Sequence, residues 1–587
     1  MKKILYIAAS AVLSLGMVSC SLDAENLTDS TSENFPNREK DVTSLLAAVY
    51  ENLNAVNATP QASFYYLSML ASDDNLGGGG ANDKLMQALD LMCNYNANMT
   101  EQFYKDRYEG IARANALLEA LPNTSLSDDV KNQAIGEAKF LRAFFYYELA
   151  SQYGNVPLVL TTGAEATQTV QGEVSDLWGQ ILMDLRDAAK DMPEVRKTDG
   201  HVDKYTAEAM LGRAWLFYTG FYGNGTDLAA LTSTTYNPLT SVELPDGTTL
   251  TKQDVIGYID DCVNNSGYVL VEDYRNLWAY TNKYSVEKYP YTATAEKKLK
   301  WVEDDNAVNP EAMFAIKFNK LASWNTTIGY GNGYALHFGI RGGQDVDKTF
   351  PFGQGWGAGP VAPNLVTDWE NSEPADMRRE ASIQDVRELP EYQFGGATWA
   401  DFIQETNWFE KKQCAIAGYD SETEKYKACF EMFMYPDGKW ENGENFQTSN
   451  IHDLVLIRFA DVLLMQSELK EDVSGINQVR FRAGLPEIGS YSLTALQNER
   501  RWELAFEGVR WNDIRRWHIA AAALEKQTNQ PTYSRGKPDT NTAHNGGYKT
   551  RYNATAGFQK MPENQVLQGS VVQNEGWTSA DSEYQGW

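Results

Sequence analysis

Apolar residues recur every three to four positions over much of the chain, the spacing of helices that bury one face. In TEQFYKDRYEGIARANALLEALPN (100–123) the stripe is Phe103, Tyr108, Ile111, Ala114, Leu117, Leu118 and Leu121, with Thr100 as N-cap and Pro122 as the stop. A second helix is predicted over SDDVKNQAIGEAKFLRAFFYYELASQYG (127–154), capped by Ser127, opened by two acids and closed by Gly154. It carries two stripes, Ile135, Ala138, Leu141, Phe145 and Leu149, and Phe140, Phe144 and Tyr147, so it is expected to be buried on two sides. A similar pair follows at about 172–192 and 203–222, where small Ala207, Ala209, Gly212 and Ala214 alternate with large Leu211, Trp215, Leu216 and Tyr218. Shorter helical patterns lie at about 39–56 and 61–72, and others return at about 454–470, 474–483, 492–507 and 510–526. The stretch between is loop-rich, with one predicted strand at 311–318 (EAMFAIKF). Small-against-large packing in consecutive helical pairs is how tetratricopeptide-like arrays stack. The pattern therefore predicts a mainly α fold in a single domain, 39–587. Tetratricopeptide-like helical hairpins form its frame (about 39–270 and 450–530). A large loop-rich insertion with little β structure (about 271–449) interrupts the frame, and the end (531–587) is irregular.

The first twenty residues, MKKILYIAASAVLSLGMVSC, depart from this pattern. Lys2 and Lys3 precede an apolar run, 4–18, that is too short to span a bilayer comfortably, and small Ser19 stands before Cys20. The arrangement resembles a bacterial lipoprotein signal, which implies removal of 1–19 and acylation of Cys20. Residues 20–38, polar and without helical periodicity, then form a flexible tether. No later stretch has the length and apolarity of a membrane span. The net charge of −28 excludes a phosphate-backbone partner, which needs clustered Lys and Arg. Four further cysteines, Cys93, Cys262, Cys414 and Cys429, show no CxxC spacing, so no zinc site is supported and any of three pairings, or none, stays open. Five histidines without HExxH give no metalloprotease signature, and DVD (345–347) and DSETE (420–424) lack EF-hand spacing. No cofactor or metal is expected.

Five segments carry a family resemblance. They are GEAKFLRAFFYYELASQYGNVPLV (136–159), YTAEAMLGRAWLFYTG (205–220), DLVLIRFADVLLMQSE (453–468) with INQVRFRAGLP (476–486), LTALQNERRWELAFEGVRWNDIRRW (493–517) and PENQVLQGSVVQNEGW (562–577). With Cys20, they resemble in order the SusD/RagB family, surface lipoproteins of Bacteroidetes that capture nutrients for a partner transporter. In ERRWELAFEG, Glu499, Arg500, Arg501 and Glu503 interleave with Trp502, Leu504 and Phe506, the pattern of a helix packed on one face with ion pairs on the other. These motifs, Arg142 and Trp502 included, are read as fold-determining.

The resemblance implies a carbohydrate site built as an aromatic platform with polar groups around it. A sugar's C–H face packs on a ring while its hydroxyls need hydrogen-bond partners. The leading candidates lie in Trp324–Pro360, where seven rings stand among ten glycines: Trp324, Tyr330 and Tyr334, with Asn332, His337 and Arg341 as polar partners. A second stretch, Tyr274–Trp301, offers Trp278, Tyr284 and Trp301. The resemblance also points to the early loop SDDNLGGGGAND (72–83), with Asp73, Asp74 and Asn75 facing hydroxyls. Its glycine run is not a P-loop, because no GK[ST] follows.

The resemblance thus implies a non-catalytic, cell-surface glycan-binding lipoprotein of the outer membrane. It touches the membrane only through its lipid and delivers oligosaccharides to a SusC-like TonB-dependent transporter. Peptide cargo on the same architecture is one alternative. A glycoside hydrolase, which needs two carboxylates at a set separation, is the other.

Overall fold

The computed structural model describes residues 35–56, 59–164, 169–319, 331–389, 391–428, 450–542 and 544–586. Six long helices build the first part of the frame: α1 (Glu39–Ala55), α2 (Glu101–Ala120), α3 (Asp128–Tyr153), α4 (Val174–Asp191), α5 (Lys204–Phe221) and α6 (Lys252–Asn265). From α2 to α6 each packs against the next, and α1 packs on α2 and α3. Thr100 and Ser127 stand at the N-cap positions of α2 and α3 as predicted, but neither side chain accepts a capping hydrogen bond; Gly154 ends α3 at a φ of 78°. Asp203, not singled out from the sequence, opens α5 by accepting the Thr206 backbone N–H at 2.8 Å. Both stripes of α3 are buried apart from the half-buried Ile135, with α2 and α4 each packed against the helix.

The predicted strand is present as β1 (Ala312–Ile316). Its antiparallel partner is β2 (Leu454–Arg458), just past the insertion, so the chain between the two strands, 317–453, leaves and rejoins the frame at this pair. The single helix expected over 454–470 is thereby corrected: the first five residues are strand, and α7 (Phe459–Lys470) starts only at Phe459. The continuous apolar run DLVLIRF suits either element, and only its distant partner decides. Next come α8 (Ser474–Arg482), α9 (Leu493–Leu504), α10 (Arg510–Arg516) and α11 (Ala520–Glu525). The helix expected over 510–526 is broken at His518, whose φ is 57° and whose ring nitrogens contact the carbonyls of Ser233 and Gly220 at 2.9 and 3.1 Å. The described insertion holds only short two-stranded pairs, in keeping with the expected paucity of β structure.

The largest departure concerns charge. The ion pairs of ERRWELAFEG do not lie on a solvated face; Glu499, Arg500, Arg501 and Glu503 are all buried. Glu503 receives Arg458 at 2.5 Å and Arg378 at 2.9 Å, and also pairs with Arg482. Arg378 reaches Glu499 and Asp376, each at 2.7 Å; Arg458 extends the network to Glu311 and Glu507. Burial alone would raise the Glu503 carboxyl, but Arg482, Arg458 and Arg378 hold it well below the usual carboxylate range. Arg142 and Trp502 are structural, as expected: Arg142 forks onto Asp184 at 2.8 Å, and Trp502 stacks on Trp369 at 5.0 Å. Cys93, Cys262 and Cys414 are buried thiols, and Cys429 lies outside the described residues.

Buried groups also set how stability depends on pH. Desolvation raises Asp90, Glu405 and Glu410 to about 7, Asp304 to about 6, Glu303 to about 8 and Glu208 to about 9. Between about pH 4, where the unfolded carboxyls ionise, and these values, the folded state binds more protons, so stability falls as pH rises. His337 and His452, lowered by burial to about 3 and about 4, act oppositely below about pH 6.5. Lys411, lowered by burial to about 7, opposes the carboxyls as well, and the six raised carboxyls outweigh these three groups. The melting temperature is therefore expected to be higher at pH 5 than at pH 7, by calorimetry in matched ionic strength; a higher value at pH 7 contradicts this.

Candidate ligand-binding surface

Most side chains singled out from the sequence are used inside the protein. Asn332 caps the helix Gly333–Phe338, accepting from Ala335 N–H at 3.1 Å and donating to the His452 carbonyl at 3.1 Å. Tyr334, 1% exposed, donates to Ser63 Oγ at 2.9 Å and meets the Tyr65 ring edge-on. His337 is buried, with Nδ1 3.1 Å from the Tyr66 hydroxyl and its ring 4.3 Å from that of Trp356. Trp278 and Trp301 are buried beside Lys412 and Glu303, and Tyr284 is half-buried. Trp324 and Tyr330 lie outside the described residues. The expectation that the loop-borne rings stand open to solvent is thus corrected for Tyr334, Trp278 and Trp301.

The early loop is likewise tied down. Arg510 forks onto Asp73 at 2.7 and 2.9 Å, Arg501 reaches Asp74 at 2.8 Å, and Asn75 donates to the Gly359 carbonyl at 2.8 Å. Three carboxylate or amide groups expected to meet hydroxyls instead join this loop to α9, to Arg510 at the start of α10, and to the insertion. The glycine run after them threads into the insertion as backbone. Gly79 N–H donates to the Gly357 carbonyl and Ile403 N–H to the Gly79 carbonyl, both at 2.9 Å. At Gly78, with φ of 68°, a Cβ would stand 2.3 Å from the Gly357 carbonyl oxygen, so only glycine fits.

This threading brings two predicted regions together around Arg341. Its Nη1 donates to Asp83 of the early loop and to the Trp356 carbonyl, each at 2.8 Å; its Nη2 and Nε fork onto Asp401 at 2.7 and 3.2 Å. The guanidinium carbon lies 4.8 Å from the ring centre of Trp399. The indole also lies against Gly342, where a Cβ would come within 2.3 Å of it. Trp399 is 39% exposed. One part of the ring is fixed by Arg341 and Gly342, while the rest faces solvent beside Asp83, Asp401 and the exposed Thr398. An anchored indole with a polar rim can pack on an apolar ligand face while neighbouring oxygens accept hydroxyl protons. Trp399 was not among the residues chosen from sequence. Its signal was the run Gly395-Gly396-Ala397-Thr398-Trp399, a smaller version of the glycine-and-ring pattern used at 324–360.

The fold is a helical frame that carries a loop-rich insertion, with the Trp399 loop cluster at its surface. A sequence profile described as "Starch-binding associating with outer membrane" matches residues 22–218, and one described as "SusD family" matches 310–577. The chain belongs to the SusD/RagB family. It is 24% identical over 536 residues to SusD-like protein P2 of Formosa agariphila, covering 86% of this chain and 89% of that one. A SusD-like protein of Bacteroides ovatus is 22% identical over 432 residues, 70% of this chain and 64% of that one. Among solved structures, a laminarin binding SusD-like protein superposes with a TM-score of 0.65 at 23% identity, covering 92% of this chain and all of that one (100%). Surface glycan-binding protein A from Bacteroides thetaiotaomicron, in complex with laminarihexaose, gives 0.60 at 18%, covering 91% and 99%. At these identities the superpositions establish the shared fold.

Proposed function

We propose that this protein is a non-catalytic, cell-surface glycan-binding lipoprotein of the outer membrane. It captures oligosaccharides and hands them to a SusC-like TonB-dependent transporter. The observation that carries the reading is the half-exposed Trp399 indole, held by Arg341 among glycine loops and rimmed by Asp83 and Asp401. The names of its relatives, SusD-like and glycan-binding, support the class of ligand. Both rim carboxylates are engaged by one guanidinium, an arrangement that favours holding a ligand over the separate acid and nucleophile of a glycosidase. Isothermal calorimetry against a panel of neutral oligosaccharides is expected to give saturable binding in the range of about micromolar to millimolar, weak enough for release. The absence of binding to every glycan, alongside binding to peptides, would replace the cargo; hydrolysis of the panel would replace the class.

Anchoring is assigned to Cys20. Cys20→Ala is expected to move the protein from the membrane to the soluble fraction without lowering its melting temperature. Full membrane retention of the variant in cells lacking the transporter contradicts the assignment.

A further inference from the structure

Trp399 belongs to a loop whose neck is closed by one buried acid. Residues 395–402 fold back on themselves, with Phe402 N–H donating to the Gly395 carbonyl at 3.1 Å and Trp399 N–H to the Gly396 carbonyl at 3.0 Å. Four residues of the loop are left-handed: Gly395 and Gly396 at φ of 92° and 78°, Ala397 and Ala400 at 46° and 52°. Alanine adopts that conformation only at a cost, so the surroundings must impose the shape. The group at the neck is Glu405, 1% exposed. Its Oε1 accepts from the Tyr392 hydroxyl at 2.9 Å and its Oε2 from the Gly395 N–H at 2.6 Å. The Glu405 backbone is itself fixed, donating to the Tyr533 carbonyl at 3.0 Å and accepting from Tyr533 N–H at 2.7 Å. Burial raises the carboxyl, the two donors oppose the rise, and among the described residues no lysine or arginine pairs with it. A buried acid without a cation is a costly way to gain stability. What it does here is gather two donors where the loop begins.

We propose that Glu405 is the positioning residue of the Trp399 surface: it holds loop 395–402 in the strained shape that sets the indole against Arg341 and Gly342 and, on the reading of Trp399 as the platform, presents the ring ready for a sugar face. With the carboxyl gone, the Gly395 N–H loses its acceptor, Ala397 and Ala400 relax, and the indole leaves Arg341 in part of the population. A ligand then has to restore the loop, and its apparent affinity falls with the fraction of molecules still in the binding shape. Glutamine can do the work of the acid. Its Oε1 accepts from Gly395 N–H, and its Nε2 donates to the Tyr392 hydroxyl, which accepts as readily as it donates.

The test labels the mature protein with 5-fluorotryptophan and reads its fluorine NMR spectrum with no ligand added. The chain has 15 tryptophans, and the Trp399 signal is the one lost in Trp399→Phe. In Glu405→Ala that signal is expected to shift or broaden while the others keep their positions, and in Glu405→Gln it is expected to return towards its wild-type place. An unmoved Trp399 signal in Glu405→Ala overturns the proposal. So does displacement of most other signals, or a Glu405→Gln spectrum that matches Glu405→Ala. Should Glu405→Ala fail to fold, Tyr392→Phe, which removes one of the two donors, takes its place, with a smaller displacement expected and an unmoved signal again overturning the proposal. Calorimetry then uses maltohexaose and cellohexaose as probes. Where either binds wild type, Glu405→Ala is expected to bind it about tenfold more weakly, as for a loop in place about a tenth of the time. Unchanged affinity in Glu405→Ala beside a loss in Trp399→Ala overturns the positioning role. Unchanged affinity in Trp399→Ala overturns the platform reading instead, and the fluorine spectra still decide what Glu405 holds.

Discussion

Glu503→Ala is expected to yield little folded protein at 37 °C. The side chain is fully buried and accepts from Arg378, Arg458 and Arg482. Removing it takes a shared carboxylate from three buried guanidinium groups, whose remaining partners (Asp376 and Glu499 for Arg378, Glu311 and Glu507 for Arg458, Glu311 for Arg482) then leave their charge under-compensated. Breaking a buried ion pair by deleting one partner costs about 3–5 kcal/mol. That is a large share of the roughly 5–15 kcal/mol by which a domain is stable. The comparison is Lys297→Ala, which breaks an exposed pair with Glu272 and is expected to leave melting unchanged. The readouts are soluble yield and differential scanning calorimetry on both variants. If Glu503→Ala melts within a couple of degrees of wild type, Asp376, Glu499, Glu311 and Glu507 suffice to compensate the three arginines and Glu503 is not what holds α9 to the insertion.

Trp399→Ala is expected to reduce oligosaccharide affinity by about thirtyfold while leaving melting near wild type. A central aromatic anchor typically contributes about 2 kcal/mol to a small interface, and that figure converts to this ratio. Melting should hold because the ring is partly solvated and sits on a loop rather than in a helix interface. Trp399→Phe, which keeps a smaller ring, should recover part of the loss. Calorimetry with a glycan that wild type binds measures all three proteins. Unchanged affinity in the alanine variant places the platform elsewhere, with Trp324, Tyr330 and Tyr284 next in line.

Periodicity located the frame because each long helix buries a continuous face against its neighbours: α2 to α5 fall where the sequence predicts, whereas α6 (Lys252–Asn265) was not read from it. It failed at Leu454–Arg458, where a strand and a buried helix share one composition and the decision belongs to Ala312–Ile316, far away in sequence. The buried charges of α9 were unreadable for a related reason. Arg and Glu are normally solvated, and only the meeting of Arg378, Arg458 and Arg482 on Glu503 reveals otherwise. The glycine-rich loop misled in a more instructive way. Its glycines allow backbone to approach backbone: at Gly355 a Cβ would stand 2.3 Å from Gly339. Close approach draws Tyr334 and His337 into the core instead of leaving them on the surface. Arg341 too is buried, its donors spent on Asp83, Asp401 and the Trp356 carbonyl, and only the Trp399 ring it supports stands at the surface.

The pairing of Asp73 and Asp74 with α9 and the start of α10 has a consequence for how the chain acquires its shape. These contacts join residues 437 and 427 positions apart. Closing such spans comes late and slows folding, since the entropy is lost before the contact repays it. The two aspartates therefore stay unpaired until nearly the whole polypeptide is available. A chain emerging from its N-terminus can pack α1 to α6 on one another, but it cannot tie its early loop to α9 and α10 until those helices exist. Refolding from denaturant should show the same late step as a slow phase that Asp73→Asn alters.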